Sequence, residues 1–464
     1  MTAPARTAAY HALLAVAGNR FDLPTALHAS RGHLEDERDR ALAAEIVTGT
    51  LRWQRSLDHL VEHFSKRRIG KLDPEVVAIL RLSLYQLLHL DRVPASAVVD
   101  DAVDLTRAAR KPSASGFVNA VLRATLRQRH TLPLPARPVN LEDRDAALAY
   151  LGVTLSHPDW LVARWLGRYG FEATERWVQF NNATPQLTLR VNRLRYTREQ
   201  AAAALAADGI DTEPTRFALD GLVVTRGNPL RRPADGLAFV QDEASQLVPA
   251  VVRASAGDRV LDLCASPGGK TIAMAADMKD TGVIVATDVR ARRLALLRDT
   301  VQTAGARSVS VVRVPTTGPL PFAPRFDAVL VDAPCSGLGT VRRDPDIRWR
   351  RREDELPVLA RDQVALLIRA ADVVRPGGRL VYATCSSEPE ENDGVVAAFL
   401  SSRDDFRVID LRVNTAPPIA PFVDQHGFFR TTPAEHGLEA FFAAALVRRG
   451  YEGRLRALER PWYD

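Results

Sequence analysis

Downstream of Asp235 the chain repeats one pattern: a short apolar run, a turn and a helical stretch. The apolar runs fall at 259–264, 283–288, 309–314, 326–332 and 379–385, and helical stretches at 271–278, 290–304 and 356–374 lie between them. Strands that alternate with helices in this way predict an α/β doubly wound parallel sheet. In such a sheet ligands sit outside the carboxyl ends of the strands. The chain has 464 residues and three cysteines, Cys264, Cys335 and Cys385, and each falls at a predicted strand end. Buried cysteine is ordinarily an inert core residue. Three scattered core cysteines would not be expected to share the ligand-facing rim.

The sequence upstream has a different texture. Residues 1–138 read as an all-α domain. Asp73 and Pro74 predict a helix start, Val77, Leu80, Leu84, Leu87 and Leu88 recur at helical spacing, and two more helices follow from Ala95 and Gly116. The Pro-rich stretch 132–138 reads as a linker. Residues 139–233 read as a small α+β domain, with strands at 187–192 and 221–224 around a helix at 197–208; Trp160, Trp165 and Trp177 sit on helical runs and read as core. Residues 234–450 read as the α/β domain and 451–464 as a C-terminal tail.

Composition narrows the function classes. Hydrophobic residues make up 46% and charged residues 25%, enough apolar material for a core. The longest apolar stretch, 441–447, is far below the roughly 20 residues that span a bilayer, so no membrane is expected. The N-terminus lacks a basic segment followed by an apolar one, and so few cysteines exclude a disulfide scaffold; both point to the cytoplasm. Lys and Arg total 62 against 56 Asp and Glu, a net charge of +6, which permits a nucleic-acid partner without requiring one. Nothing demands more than a monomer.

Three runs carry chemistry. Leu261–Thr271 reads LDLCASPGGKT: a strand, a glycine turn and a helix start, which lets a ligand approach the backbone closely. It departs from a P-loop at Cys264 and is not GxGxxG, so nucleoside triphosphate and NAD are the weaker readings. Asp288 ends the next strand, where a carboxylate can take ribose hydroxyls or merely cap a helix. S-adenosyl-L-methionine fits an adenosine cofactor that needs no phosphate cradle. Val331–Gly339 reads VDAPCSGLG, and Val381–Asn392 reads VYATCSSEPEEN. No CxxC or CxxH spacing exists, so no metal is expected. Two thiols beside a methyl donor suit C5 of cytosine. A thiolate adding to C6 makes C5 nucleophilic, a carboxyl group on ring N3 favours the addition, and loss of the C5 proton then expels the thiol. Asp332, Cys335, Cys385 and Lys270 supply those residue types at one rim.

These runs resemble closely the motifs of the RNA cytosine-5 methyltransferase family. The segments Gly49–Arg52, Leu80–Leu87 and Gly116–Arg123 are similar to a NusB-type RNA-binding domain. With Ser156–Leu161, Arg190–Asn192 and Gln241–Ser245, the architecture resembles the bacterial RsmB/Sun-type branch, which methylates a cytosine of 16S ribosomal RNA. The resemblance implies Cys385 as nucleophile, Cys335 as the thiol that assists release, Asp332 near both cofactor and base, and Lys270 beside them. It implies cofactor binding by Cys264, Ala265, Ser266, Pro267, Gly268, Gly269, Lys270, Asp288, Arg293 and Asp332. Two departures stand out. Val314, Pro315 and Thr316 occupy the place of an acidic adenine contact, and Glu439–Phe442 replaces an Asp-Gly-Phe-Phe pattern. The stretch 341–352, with its arginines around Trp349, suits phosphate contact and base stacking or, alternatively, a solvated loop. A tRNA substrate and a non-catalytic RNA-binding or assembly role are the alternatives.

Overall fold

Pro74 can open a helix because the first-turn N–H groups have no intrahelical partner, and its fixed φ suits the first turn. The computed structural model, which describes residues 2–32, 34–231, 236–413 and 417–450, starts a helix there. The described residues fall into two units, one within Met1–Thr184 and Val341–Glu353, the other within Pro185–Thr340 and Asp354–Asp464.

The first unit has helices and no strand among its described residues: α1 (Pro4–Ala17), α2 (Leu23–Arg31), α3 (Glu37–Arg52), α4 (Gln54–Ser65), α5 (Pro74–His89), α6 (Ala95–Ala108), α7 (Ser115–Arg127), α8 (Arg144–Ala149) and α9 (Asp159–Asn182). α5 is the central helix. Its apolar spacing predicts one buried face, but Val76 to Leu87 are buried almost all round, because α1, α3, α4, α6 and α7 surround it. Asp73 makes no side-chain cap and instead pairs with Lys111 at 2.8 Å. The 132–138 stretch is extended but not loose. Leu132 and Leu134 pack on the helical core and His59 Nε2 bonds the Pro133 carbonyl at 2.9 Å. α9 is broken at Gly170, where φ is +74°. Trp165 and Trp177 stack at 5.1 Å in its buried face, as core residues.

The second unit begins with an antiparallel sheet. β1 (Thr188–Val191), α10 (Arg198–Ala207), β2 (Asp211–Pro214), β3 (Gly221–Arg226) and β4 (Ala238–Val240) give the order β2-β3-β1-β4. Thr197 and Gln200 close a reciprocal capping box at the start of α10. The residues read as one small domain, 139–233, are thus shared: α8 and α9 lie in the first unit and the strands in the second.

The larger sheet follows through α11 (Glu243–Val252), β5 (Arg259–Leu263), α12 (Gly269–Asp277), β6 (Val283–Asp288), α13 (Ala291–Ala304), β7 (Val309–Arg313) and β8 (Phe326–Asp332). The chain then visits the first unit, where Ile347–Arg350 form α14. It returns as α15 (Leu356–Ala371), β9 (Val374–Thr384), α16 (Asp393–Ser402), β10 (Phe406–Val408), β11 (Phe429–Thr431), α17 (Pro433–His436) and β12 (Phe441–Arg448). Strand order is β10-β12-β9-β8-β5-β6-β7, with β11 on β12. β9, β8, β5, β6 and β7 are mutually parallel, as their sequence predicts. β12 runs antiparallel beside β9, so the sheet is mixed rather than wholly parallel. Both faces are buried. Along β9, Leu380 and Tyr382 enter one core while Val381 and Ala383 enter the other; along β12, Phe442, Ala444 and Leu446 alternate with Phe441, Ala443 and Ala445. That two-sided burial is why these strands read as unbroken apolar runs.

Candidate active site

The sheet reverses its winding between β5 and β8, and the carboxyl edge there collects the chemistry-bearing residues. After Leu263 the chain turns sharply. Cys264 takes φ +86° and the Cys264 and Ala265 N–H groups both donate to the Thr287 carbonyl. A non-glycine residue in this region is uncommon and marks a tightly determined turn. The Ser266–Pro267 bond is cis. Gly268 has φ +110°, and a Cβ there would meet Leu297 Cδ1 at 2.9 Å, so only glycine fits. α12 then begins, with its first N–H groups at the turn.

Asp288 ends β6, 5% exposed, with Arg290 N donating to its Oδ1 at 3.0 Å and Arg293 Nη1 at 3.9 Å from Oδ2. That bond is a local turn two residues on rather than a helix cap: the N-cap of α13 is Arg290, which makes no side-chain cap. Ser266 Oγ donates to the Arg293 carbonyl, joining the turn to α13. The loop after β7 contains no carboxylate. Arg369 instead holds its backbone, donating to the carbonyls of Pro315 (2.8 Å), Thr316 (2.9 Å) and Gly318 (2.6 Å).

Lys270 and Asp332 form an ion pair at 2.6 Å, with Lys270 Nζ also over the Phe441 ring at 5.6 Å. Burial alone would push the Lys270 pKa down; the Asp332 carboxylate outweighs it and holds the ammonium above its ordinary value. Cys335 Sγ and Cys385 Sγ are 3.3 Å apart. The contact with Cys335 and burial push the Cys385 thiol well up, while Lys270 pulls it down. Burial, together with the charges of Asp332, Asp262 and Asp288, raises Cys264 to about 12. Burial lifts Asp262 to about 7, against the hydrogen bond from Thr271 Oγ1 at 2.6 Å.

The structure thus gathers Cys264, Lys270, Asp288, Arg293, Asp332, Cys335 and Cys385 at one rim. The sequence run 381–392 contains Tyr382, Glu391 and Asn392 without a role for them, and Gln363 lies outside every run singled out. Glu391 is fully buried and accepts from Ser336 N, Ser386 Oγ and Gln363 Nε2. Asn392 accepts from Thr384 Oγ1 at 2.6 Å and donates to the Ser386 carbonyl at 3.0 Å. A buried acidic residue a few positions past a strand end was the available signal.

The arginine-rich stretch corrects an expectation. Arg348 is fully buried in the first unit, where Nη1 donates to the Ser156 carbonyl and Asn182 Oδ1, and Nη2 to the Asn181 carbonyl. Trp349 Nε1 donates to the Leu51 carbonyl at 2.6 Å, and Arg342 lies over Phe180 and bonds the Ala183 and Thr184 carbonyls. Arg348 is thus enclosed by protein and cannot reach RNA, whereas Arg342 and Trp349 keep part of their surface and Arg350 is exposed. Unmet backbone carbonyls at helix ends recruited Arg342, Arg348 and Trp349.

A glycine turn closing the first parallel strand, an acidic residue closing the second and two adjacent thiols beyond the switch point place the second unit among Rossmann-like methyltransferases of the S-adenosylmethionine-dependent type. Comparison with known proteins agrees. Residues 249–447 match the family model "16S rRNA methyltransferase RsmB/F", residues 3–127 match the NusB family, and residues 157–231 match an RsmF/B-like ferredoxin-like domain. The chain is 32% identical over 419 residues to the probable ribosomal RNA small subunit methyltransferase B of Bacillus subtilis, covering 89% of this chain and 92% of that protein. It is 34% identical to the ribosomal RNA small subunit methyltransferase B of Pseudomonas putida, covering 96% and 98%. The crystal structure of PH0851 superposes with a TM-score of 0.77 at 27% identity, covering 96% of this chain and 99% of that one. The chain belongs to the RsmB/F family of 16S rRNA methyltransferases.

Proposed function

We propose that this chain methylates C5 of a cytosine in small-subunit ribosomal RNA through a covalent bond between Cys385 and C6 of the base. The observation that carries the reading is the pair of sulfurs 3.3 Å apart, beside the Lys270–Asp332 ion pair, at the carboxyl edge of the sheet. The residues present fit the cofactor. The turn 264–269 offers backbone N–H groups and a glycine-only approach, and the Asp288 carboxylate stands where ribose hydroxyls would lie. Arg293 and Lys270 flank it. S-adenosylmethionine, when bound, supplies an electrophilic methyl group.

The chain's own residues do the rest. Cys385 gives its proton to the Asp332 carboxylate and its sulfur adds to C6, moving electron density to C5. The Asp332 carboxyl group, carrying that proton, donates to ring N3 and so favours the addition. After methyl transfer C5 carries both a proton and the methyl group. Cys335 Sγ takes the C5 proton, the ring double bond reforms and Cys385 leaves C6 as a thiolate. Cys335, one sulfur contact away, is the group positioned to assist this release. The helical first unit, matched to the NusB family, is the RNA-binding part, and the cytoplasm is where the protein works. The direct test is methyl transfer in vitro to small-subunit rRNA and to tRNA, read as 5-methylcytidine by mass spectrometry. Product in rRNA alone is expected. Product in tRNA alone would replace the substrate, and binding of rRNA with no product in either would make the chain a binding factor.

A further inference from the structure

The two thiols belong to different crossover loops, one after β8 and one after β9. Their separation must therefore be set by something that joins the loops. A buried carboxylate does so, beside a direct contact of Ser336 Oγ with Ser386 Oγ at 3.2 Å. Glu391 Oε1 accepts from Ser336 N at 2.8 Å and its Oε2 accepts from Ser386 Oγ at 2.5 Å, so it grips the residue after each cysteine. Gln363 Nε2 donates both to Glu391 Oε1 at 2.9 Å and to the Pro334 carbonyl at 3.0 Å, bracketing Cys335 from α15. Tyr382 OH fixes the Glu391 carbonyl at 2.6 Å. Glu391, Ser336, Ser386, Gln363 and Tyr382 are all at most 1% exposed. A buried, charge-assisted and cross-linked set of this kind is stiff. The backbone bond from Gly339 N to the Cys385 carbonyl joins the loops a second time.

We infer that Glu391 is a positioning residue that sets the sulfur-to-sulfur distance of Cys335 and Cys385, and through it the rate of the thiol steps. The inference rests on the proposed roles of the two thiols, and its geometric part can be measured without RNA or cofactor. An acceptor at Oε1 and any bonding group at Oε2 satisfy the network. Glu391→Gln keeps both, with its amide donating to Ser386 Oγ, whereas Glu391→Ala removes both.

The experiment treats the full chain with diamide, which takes two hydrogens from a thiol pair and leaves a disulfide, and maps the linkage by mass spectrometry. Geometry governs such closure steeply. Wild type is expected to link Cys335 to Cys385. Glu391→Ala should link them at least tenfold more slowly and lose at least tenfold in kcat for methyl transfer, with KM for cofactor within twofold. Glu391→Gln should recover both rates to within threefold of wild type. Where Glu391→Ala fails to fold by circular dichroism, Ser386→Ala, which removes the Oε2 grip together with the Ser336 Oγ contact and the acceptor of Glu388 N, should slow linkage about threefold. Linkage in the Ala variants at the wild-type rate, or Glu391→Gln as slow as Glu391→Ala, overturns the inference. Linkage rates that follow expectation in a protein with no methyl transfer to any RNA would leave the geometry standing and remove the proposed reaction.

Discussion

Cys385 keeps its proton in the free protein, because its contact with Cys335, burial and the Asp332 charge all disfavour the thiolate. Below its raised pKa the thiolate fraction grows tenfold per pH unit, so log(kcat/KM) for methyl transfer should rise with slope about +1 from pH 6.5 to 8.5. Lys270 is the group that opposes the rise in pKa. Lys270→Met should therefore lower the rate at pH 7.5 at least tenfold and move the rising limb to higher pH, measured as a full profile. A second titration belongs to stability. His157 is fully buried beside Arg348, with Nδ1 bonding the Leu155 carbonyl at 2.7 Å and Nε2 facing Asn181 at 3.3 Å. Burial and then the Arg348 charge push its pKa well below the ordinary histidine value. The folded protein thus binds a proton less readily than the unfolded chain. The stabilisation is complete above the unfolded value of about 6.5 and is lost as pH falls below it. The thermal midpoint of the first unit should drop between pH 7.5 and 5, and His157→Asn should flatten that slope.

At the scale of elements, the turn between β5 and α12 should be the least tolerant segment. Gly268→Ala forces a Cβ into φ +110° and against Leu297, so S-adenosylhomocysteine, titrated by calorimetry, should bind at least tenfold more weakly. β12 tests the core instead. Phe442 is fully buried and stacks edge-on with Tyr382 and Phe428. Phe442→Ala should cost about 3–5 kcal/mol in denaturant unfolding of the second unit. The parallel strands were legible because a strand buried on both faces leaves an unbroken apolar run between helices. β12 was not: its run looks the same, and nothing local says that it enters antiparallel beside β9. The short strands β2, β4, β10 and β11 carry too few residues to show a period.

Across the whole molecule, the rim was legible because its chemistry is local in sequence: each cysteine sits in a run of turn residues at a strand end. The Glu391 network was not, because it joins Pro334, Ser336, Gln363, Tyr382 and Ser386 from separate elements, and only the fold makes them neighbours. The burial of Arg348 was hidden for the same reason. An arginine among arginines reads as surface until its carbonyl partners from α9 and the loop before it are in place. The proposed reaction divides the labour between the thiols, Cys385 attacking and Cys335 assisting release. The measurement that tests it most directly incubates Cys335→Ala and Cys385→Ala with S-adenosylmethionine and small-subunit rRNA, then separates protein from RNA under denaturing conditions. A protein–RNA adduct that accumulates with Cys335→Ala and is missing with Cys385→Ala is the predicted result. An adduct retained without Cys385 and lost without Cys335 would contradict it.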